Sequence, residues 1–345
     1  MSFLVRLMKI RELSILLFMI VFFIFVGSVN HEFIAGDTIS LLVKASVILL
    51  VMAIGQSFVL YTANIDVSVG SIMGLSAAVC GVLLTSNVNI GLVIPIVLLV
   101  GAAVGIINGV GVAYFKIPSI IMTLGMLGII RGAMLIFTAG MWIEDIPNFY
   151  KKLANVKLIG ISLPVWVTAV ILVIAHLFLT KTKFGRYFYA VGDNEDGARL
   201  VGLPVEKVKV LAFIFSGISA SIAGLVFVMN IGFVPNQTGS GIELQVIAAA
   251  VLGGVSLTGG IGTVYGAALG AIFFTVINNS LVYLKIPAYW NNAISGLLLI
   301  IIVVGDSKFQ QYLLRRSAQN HQAIKLDMPM VKGEVSDDKQ NKAIT

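Results

Sequence analysis

The chain has 345 residues, of which 58% are hydrophobic and 11% are charged, and its mean hydropathy is +1.01. A soluble globular domain carries about 25% charged residues, so this composition excludes a soluble protein. Between residues 210 and 305 only Glu243 and Lys285 are charged, and no soluble fold buries so long an apolar run. The single cysteine, Cys80, lies in an apolar stretch, which excludes a disulfide framework. The sequence therefore predicts an integral membrane protein.

The formal net charge of +7 is unevenly distributed along the chain. Basic residues collect before the first apolar run, in one central charged segment and in the tail, which is the pattern of a topology signal and not of a nucleic-acid footprint. Cytoplasmic segments of membrane proteins carry an excess of Lys and Arg. We therefore expect both termini in the cytoplasm and no nucleic-acid partner.

Ten apolar stretches are predicted to cross the bilayer, because a spanning helix needs about 20 apolar residues. They are residues 13–29, 38–60, 67–86, 90–114, 117–138, 161–179, 210–233, 244–258, 261–284 and 287–305. The uncharged run from 244 to 284, interrupted by Thr258-Gly259-Gly260, is compatible with one span plus a re-entrant piece or with two spans. Two spans place the basic tail on the same side as the N-terminus, so ten spans are favoured over nine.

The expected architecture is an all-α polytopic membrane protein with about ten transmembrane helices in a single domain, residues 13–306. Residues 1–12 are expected to form a cytoplasmic N-terminus. Residues 307–345 are expected to form a cytoplasmic tail, largely disordered because it is polar from about residue 319 onward.

A short internal repeat and a set of glycines concern the packing of the spans. Asn108 precedes Lys116-Ile117-Pro118 after the fourth span, and Asn278 precedes Lys285-Ile286-Pro287 after the ninth. Five spans separate the two copies, so they would have opposite orientations, as in the inverted repeats of transporters; a chance match is an equal alternative. Glycines at helical spacing predict close approach of helices. They are Gly101, Gly105 and Gly109 in the fourth span and Gly266 and Gly270 in the ninth.

The first polar cluster at bilayer depth is the stretch NIDVSVGS, residues 64–71. Its alternating polar residues Asn64, Asp66 and Ser68, followed by Gly70, predict a broken or extended entry into the third span. Asp66 either caps that span, which is the favoured reading, or binds substrate or a cation. Because polar groups inside a membrane face a cavity or one another, Asn64, Asp66 and Ser68 are candidates for a translocation path or gate.

The second polar cluster, residues 235–241, ends just before Glu243 and is expected on the outer face. Asn236, Gln237 and Glu243 are candidates for a periplasmic gate or solute path that meets a polar solute or a delivery protein. An equal alternative is a plain turn in which Glu243 caps the eighth span. Arg131 lies near the middle of the fifth span, and a purely structural role explains it less easily than it explains the residues of this cluster.

Four asparagines near the last two spans form a third cluster. Interhelical hydrogen bonding is the default expectation for such residues in membranes. They are Asn278, Asn279, Asn291 and Asn292.

The segment from Lys181 to Lys209 is the one densely charged part of the chain between long apolar runs. It holds six Lys or Arg and four Asp or Glu, so a water-exposed cytoplasmic loop is expected over residues 180–209. Its centre, EDGAR at residues 195–199, alternates turn formers with helix formers. This pattern predicts a short amphipathic helix on which a partner docks.

Several kinds of chemistry are missing from the sequence. There is no Gly-x-x-x-x-Gly-Lys-Ser/Thr motif for ATP, no metal-spaced His/Cys cluster and no nucleophile with a plausible base. We therefore expect no catalytic residue, no cofactor, no metal and no enzymatic activity in this chain. A membrane bundle with a docking loop then needs a separate motor.

Three segments, taken in order, resemble the monosaccharide-type ABC importer permeases, a family that includes ribose permeases. Residues 64–71 are similar to the signature after the second span, and residues 184–202, FGRYFYAVGDNEDGARLVG, are similar to the cytoplasmic coupling segment. Residues 251–262, VLGGVSLTGGIG, are similar to the C-terminal glycine stretch. Within that family, residues 140–147 and 231–243 resemble the permeases for autoinducer-2, a furanosyl quorum-sensing signal.

The resemblance implies a ten-helix permease bundle in the bacterial inner membrane. It also implies a sister permease, two copies of an ATPase subunit and a periplasmic binding protein as partners. The ATPase would push on the coupling helix and drive alternating access. Its contacts would be Glu195, Asp196, Gly197, Arg199 and Gly202, with Asp196 and Arg199 the best candidates. A ribose or pentose permease of the same family remains an alternative, as does an ATP-independent carrier.

Overall fold

The computed structural model describes residues 11–287 together with 290, 293–294, 296–297, 300 and 304. Twelve α-helices lie in this part of the chain, and a 3-10 turn, His31–Ile34, links the first two. They are α1 (Arg11–Val29), α2 (Gly36–Tyr61), α3 (Val69–Thr85), α4 (Ile90–Ala113), α5 (Ser119–Phe137), α6 (Asn148–Leu153), α7 (Leu163–Lys181), α8 (Lys183–Asp193), α9 (Glu195–Leu200), α10 (Val205–Ile231), α11 (Ile242–Leu252) and α12 (Val264–Tyr283). Two strands, β1 (Lys157–Leu158) and β2 (Ile161–Ser162), pair in an antiparallel hairpin.

The prediction of a helical, multi-pass membrane protein is confirmed. Six described helices, α2, α4, α5, α7, α10 and α12, are long and apolar enough to cross a membrane. Three shorter apolar helices, residues 15–29 of α1, α3 and α11, lie where the sequence predicts further spans. The predicted tenth span, 287–305, and the predicted tail fall almost entirely outside the described residues, so the count of ten stays a prediction.

The predicted eighth span is wrong in its extent. Helix α11 ends at Leu252 and not near residue 258, because the chain turns at Gly253 and Gly254, the latter with a positive φ of 85°. Eleven residues of helix are about 16 Å long, roughly half the thickness of the hydrocarbon core. Helix α11 is therefore a half-helix.

Two long helices organise the bundle. Helix α10 packs against α2, α3 and α4, whereas α2 packs against α10, α11 and α12. Helices α2, α3 and α4 can be matched in this order with α10, α11 and α12. The packing of α10 on α3 and α4 then corresponds to the packing of α2 on α11 and α12. This arrangement agrees with the inverted repeat suggested by the two Lys-Ile-Pro segments, and Lys116 and Lys285 share a left-handed backbone, with φ of 54° and 58°.

Close glycine packing joins α4 to α10. A Cβ atom on Gly101 would overlap the carbonyl oxygen of Gly217, and a Cβ on Gly105 would overlap that of Phe213. The same holds between α12 and α11, where Gly266 faces the carbonyl of Gly253. The prediction that these glycines permit close helix contact is confirmed.

The ends of the helices define two sides of the bundle. On one, the coupling side, the turn after α2 meets the end of α8, and Glu12 accepts a hydrogen bond from Thr263 at 2.7 Å. On the other, the hairpin side, Ile143 forms a β-bridge with Val234. The charged segment and the first residues of α1 thus lie on the same side, as expected from their basic character.

Candidate functional site

The coupling segment, residues 182–204, is helical as the sequence predicts for its centre. The Asn194 side chain accepts a hydrogen bond from the Gly197 nitrogen at 2.8 Å and so caps α9. Thr182 caps the preceding helix α8 in the same way, at 2.9 Å from the Gly185 nitrogen. Both caps are local, because an amide or hydroxyl oxygen placed just before a helix satisfies its free N–H groups. Gly202, with a φ of 78°, allows the turn into α10.

An ion-pair network on the surface fixes α9 to the start of α10. Glu195 lies 3.2 Å from Arg199 and 2.7 Å from Lys209, and Arg199 also pairs with Glu206. Partial burial alone would raise the pKa of Glu195, but its hydrogen bonds and charge interactions with Lys209 and Arg199 outweigh that effect and lower it. Two of the predicted contact residues, Glu195 and Arg199, therefore hold the helix in place, whereas Asp196 is exposed.

The most exposed apolar side chains of the coupling segment lie at the end of α9. Leu200 is 89% exposed and Val201 is 75% exposed, while Ala198 on the same turn is buried. Apolar side chains left open in a charged segment typically mark a protein interface. Leu200 and Val201 were not among the residues predicted to contact a partner, although two adjacent apolar residues at the end of a charged helix are a signal that the sequence contains.

The coupling segment rests directly on the ends of the two broken elements of the bundle. Gly192 is so close to the Tyr61 carbonyl that a Cβ there would overlap it, and it lies beside Gly260. The Gly260 nitrogen donates to the Tyr61 carbonyl at 3.1 Å. The rings of Tyr61 and Tyr189 pack at 4.7 Å. A displacement of α8 would therefore reach the turns at Tyr61 and Gly260 without an intermediate layer.

The chain is non-helical between α2 and α3, so the predicted broken entry into the third span is confirmed. Asp66 is fully buried there. One of its oxygens accepts from the Ser68 nitrogen at 2.9 Å and the Ser68 hydroxyl at 2.6 Å. These bonds hold the turn before the helix. The N-cap residue of α3 is Ser68, so the prediction that Asp66 caps this span is wrong. The other accepts from Ser216 of α10 at 2.8 Å. Among the described residues no Lys, Arg or His pairs with Asp66.

Two amide side chains complete this network. Asn108 of α4 donates to the Ser68 hydroxyl at 2.9 Å. The Gln56 amide of α2 lies 3.2 Å from both the nitrogen and the carbonyl oxygen of Asp66 and satisfies both when its oxygen faces the nitrogen. Asn64 hydrogen-bonds the carbonyl of Thr62 at 2.8 Å. The break is thus tied to α2, α4 and α10 by neutral donors.

The second polar cluster begins on the hairpin side, which the predicted topology makes the outer face, and continues from there into the bundle. Residues 232–241 begin beside Gly81, where Val234 packs, and then run along α3 until Gly239 meets Gly70 backbone to backbone. Gly70 and Gly81 are 11 residues apart on a helix, which corresponds to about 16 Å. The segment therefore descends into the bundle, and α11 begins deep inside. The break at residues 64–70 and residues 238–243, which pack on Gly70 at its end, are together called the central crossing.

Arg131 and Glu243 flank the central crossing. Arg131 donates to the Thr238 carbonyl at 3.0 Å, and Glu243 accepts from the Gly241 nitrogen at 3.2 Å, in the manner of a local cap. The Arg131 Nη2 and the Glu243 Oε2 are both buried and have no hydrogen-bond partner among the described residues. No Arg131–Glu243 ion pair within 4.0 Å is present among the described residues.

The other predicted polar residues have smaller roles in the structure. Asn236 donates to the Gly140 carbonyl at 3.0 Å and ties two loops of the hairpin side together, while Gln237 is exposed. Asn279 donates to the carbonyl of Thr275, one turn earlier in its own helix, at 2.9 Å. The expected interhelical bonding stays a prediction, because most of the last predicted span lies outside the described residues. Asn291 and Asn292 lie outside the described residues.

Comparison with known proteins identifies the kind of chain to which these features belong. Residues 38–303 match the family model described as "Branched-chain amino acid transport system / permease component". No solved structure matches the chain significantly.

Several proteins of known name are similar over almost the whole length. "Autoinducer 2 import system permease protein LsrC" of Photorhabdus luminescens is 42% identical over 93% of this chain and 97% of its own length. The proteins of the same name from Salmonella typhi and Escherichia coli K12/DH10B are 45% and 44% identical over 88% of this chain, and over 88% and 89% of their own lengths. The resemblance to importer permeases drawn from the sequence motifs is confirmed.

Proposed function

The chain belongs to the permease-component family of ABC import systems, and from this premise we propose that it is the membrane subunit through which an ATP-driven importer moves autoinducer-2 across the bacterial inner membrane. The observation that carries the solute assignment is the identity of 42–45% over about nine tenths of the chain with permeases named for autoinducer-2. The name of the matching family model mentions amino acids, but the full-length relatives are named for the signal molecule.

The proposed assembly pairs this chain with a sister permease, LsrD, two copies of the ATPase LsrA and the periplasmic binding protein LsrB. The coupling segment supports the ATPase assignment, because its exposed Leu200 and Val201 are apolar groups that an aqueous segment leaves uncovered. In this proposal Leu200, Val201 and Asp196 meet the ATPase. Arg199, whose side chain is 48% exposed, also contacts the ATPase, and together with Glu195, Gly197 and Gly202 it holds α9 in the orientation that it presents.

The proposed topology has ten spans within residues 13–306. The N-terminal residues 1–12, the coupling segment and residues 307–345 are then cytoplasmic, with the hairpin side periplasmic. Common placement of Glu12 and the coupling segment on one side of the bundle supports this orientation, as does the excess of Lys and Arg in those segments.

The proposed transport cycle begins at the coupling segment. ATP binding would move the ATPase subunits together and displace α8 and α9, which contact the turns at Tyr61 and Gly260. Those turns are continuous with the two broken elements that meet at the central crossing, so the crossing would alternate between two arrangements. The gate residues in this proposal are Asn64, Asp66 and Ser68 on one element and Asn236, Gln237 and Glu243 on the other.

Solute uptake by a strain that lacks this gene tests the proposed function. We expect uptake of labelled autoinducer-2 to fall to background and to return when the gene is supplied, with ribose uptake unchanged. Loss of ribose uptake instead would identify a pentose permease. Uptake of autoinducer-2 that survives ATP depletion in vesicles would contradict an ATP-driven importer and indicate a facilitator.

A further inference from the structure

Arg131 is a charged residue deep in the membrane domain that no structural role fully explains. It is the thirteenth of the 19 residues of α5 and so lies within about 5 Å of the helix midpoint along its axis. Its side chain is only partly buried, and no carboxylate lies within pairing distance among the described residues. An arginine at this depth does not face lipid but lines a water-filled path or a protein contact.

The atoms left without partners around Arg131 form a complementary donor and acceptor. The Arg131 Nη2 is a buried donor and the Glu243 Oε2 is a buried acceptor, and neither has a hydrogen bond among the described residues. The second terminal atom of each group does have a partner. Arg131 Nη1 donates to the Thr238 carbonyl, and Glu243 Oε1 accepts from the Gly241 nitrogen. A buried charged group that lacks one hydrogen bond is unfavourable, and such groups occur at functional sites.

The surroundings of Glu243 make its position well defined. Its Oε2 lies so close to Gly70 that a Cβ there would overlap it, so the carboxylate is confined between α3 and the first turn of α11. The start of a half-helix deep in a membrane bundle is also where transporters bind solutes. Arg131 on α5 and Glu243 on α11 thus approach the central crossing from separate helices.

We propose that Arg131 and Glu243 bind neighbouring hydroxyl groups of a neutral polyhydroxylated solute as it passes the central crossing. This inference rests on the proposed function and deepens it. One hydroxyl accepts a hydrogen bond from the guanidinium and its neighbour donates one to the carboxylate, which satisfies both orphaned atoms. Because both atoms are buried in the arrangement described above, the solute reaches them in the other arrangement of the crossing. A purely apolar solute leaves both charges unsatisfied, and a singly charged solute is attracted by one of the two residues but repelled by the other.

The test uses the complete importer, reconstituted in liposomes with its ATPase and binding protein. Uptake of autoinducer-2, and of an analogue that lacks one of two neighbouring hydroxyls, is measured for the wild type and for Arg131→Gln and Glu243→Gln. Lys157→Gln, at an exposed lysine on the hairpin side, is the matched loss of charge. We expect each site variant to raise the KM for the full solute about tenfold or more, since a hydrogen bond to a charged group is lost. The effect should be much smaller for the analogue, and Lys157→Gln should behave as wild type.

Three outcomes would overturn the inference. They are an unchanged KM in both variants, an equal change for solute and analogue, and competition by leucine, whose ammonium and carboxylate groups would pair with the same two residues. A role of Arg131 limited to holding the Thr238 carbonyl gives the second outcome. If Arg131→Gln fails to assemble, the inference is judged on the KM values of the isosteric variant Glu243→Gln for the solute and the analogue. Wild-type importer that moves ribose and not autoinducer-2 would contradict the proposed function alone, and the two variants are then judged on ribose.

Discussion

The central crossing and the coupling segment are both polar interruptions of an apolar chain, but they are held together by different forces. The crossing is built from backbone packed on backbone at Gly70 and Gly239 and from a buried carboxyl with neutral donors. The coupling segment is built from ion pairs that water reaches and ends in uncovered apolar side chains. The difference follows from the surrounding medium, because a polar group without a partner costs far more inside a bundle than in water.

The two regions should therefore differ in the substitutions that they tolerate. Substitutions at the crossing should affect whether the protein folds, since close packing and buried polar groups have few alternatives. Substitutions in the coupling segment should leave folding nearly intact and change what the protein does. The following experiments would separate the two regions or show that they do not differ.

The largest effect is expected from Gly239→Ala. Gly239 has a φ of 80°, and a Cβ there would overlap the carbonyl of Gly70. The added methyl group should prevent α3 from meeting the 232–241 segment and abolish folded protein in the membrane. Gly241→Ala is the control, because Gly241 has a φ of 79° but no atom within 4 Å of its Cβ position. It should lose only about 1–2 kcal/mol of stability. Equal yields of folded protein for the two variants would show that the crossing is not closely packed.

A smaller but still large effect is expected from Asp66→Ala. The change removes the acceptor for the Ser68 nitrogen, the Ser68 hydroxyl and the Ser216 hydroxyl. The unsatisfied donors should lower the free energy of unfolding by about 2–5 kcal/mol. Asp66→Asn keeps an acceptor at the same place and should lose clearly less. Thermal unfolding in detergent measures both, and identical losses would mean that the hydrogen bonds do not stabilise the break.

The double change Leu200→Asp with Val201→Asp should act on function and not on folding. Both side chains are open to solvent, so thermal unfolding should be unchanged. Binding of the ATPase subunit and ATP-driven uptake should fall at least about tenfold, because two apolar contacts are replaced by charges. Ile159→Asp, at a residue that is 91% exposed on the hairpin side, is the control for ATPase binding. Normal ATPase binding by the double variant would remove these residues from the proposed interface.

The smallest effect is expected from protonation of Glu195. Its pKa is lowered in the folded protein, so its stabilising effect is fully present above the unfolded glutamate pKa of about 4.3 and is lost as the pH falls through the lower folded value. The loss should stay below about 1 kcal/mol, since the pairs are exposed and screened. Hydrogen exchange of α9 in acid measures it. Glu195→Gln should lack this pH dependence, and an equal dependence in that variant would assign it to another group.

Much of the architecture could be predicted because its signals are local. Apolar runs longer than about 20 residues determine where α2, α4 and α10 cross the bundle. Asn194 caps α9 three residues before Gly197, a relation that sequence spacing reveals. The small residues at Gly101 and Gly105 also indicate their own role, because only a missing side chain lets two membrane helices touch.

Other features could not be predicted because they depend on which segment faces which. The path of residues 232–241 along α3 requires Gly70 and Gly239 to meet. The local sequence around either glycine does not indicate that the other one is its contact. Arg199 carries the charge expected of a docking residue, yet it is paired with Glu195 and Glu206 once α9 folds against α10. The half-helix α11 was predicted to be a full span because the uncharged run continues past its end at Leu252. The turn at Gly253 and Gly254 does not change the apolar composition of that run.

The sequence by itself determined that this protein is a helical membrane protein, where its polar interruptions lie and which family it resembles. Composition and short motifs are enough for these, because membrane insertion depends on the summed hydropathy of each segment. Only the tertiary structure decided that the two interruptions inside the bundle meet, that Arg131 and Glu243 approach one place from different helices, and that Leu200 and Val201 remain uncovered. Those facts arise from contacts between residues far apart in the chain, and burial and pairing exist only once those contacts have formed.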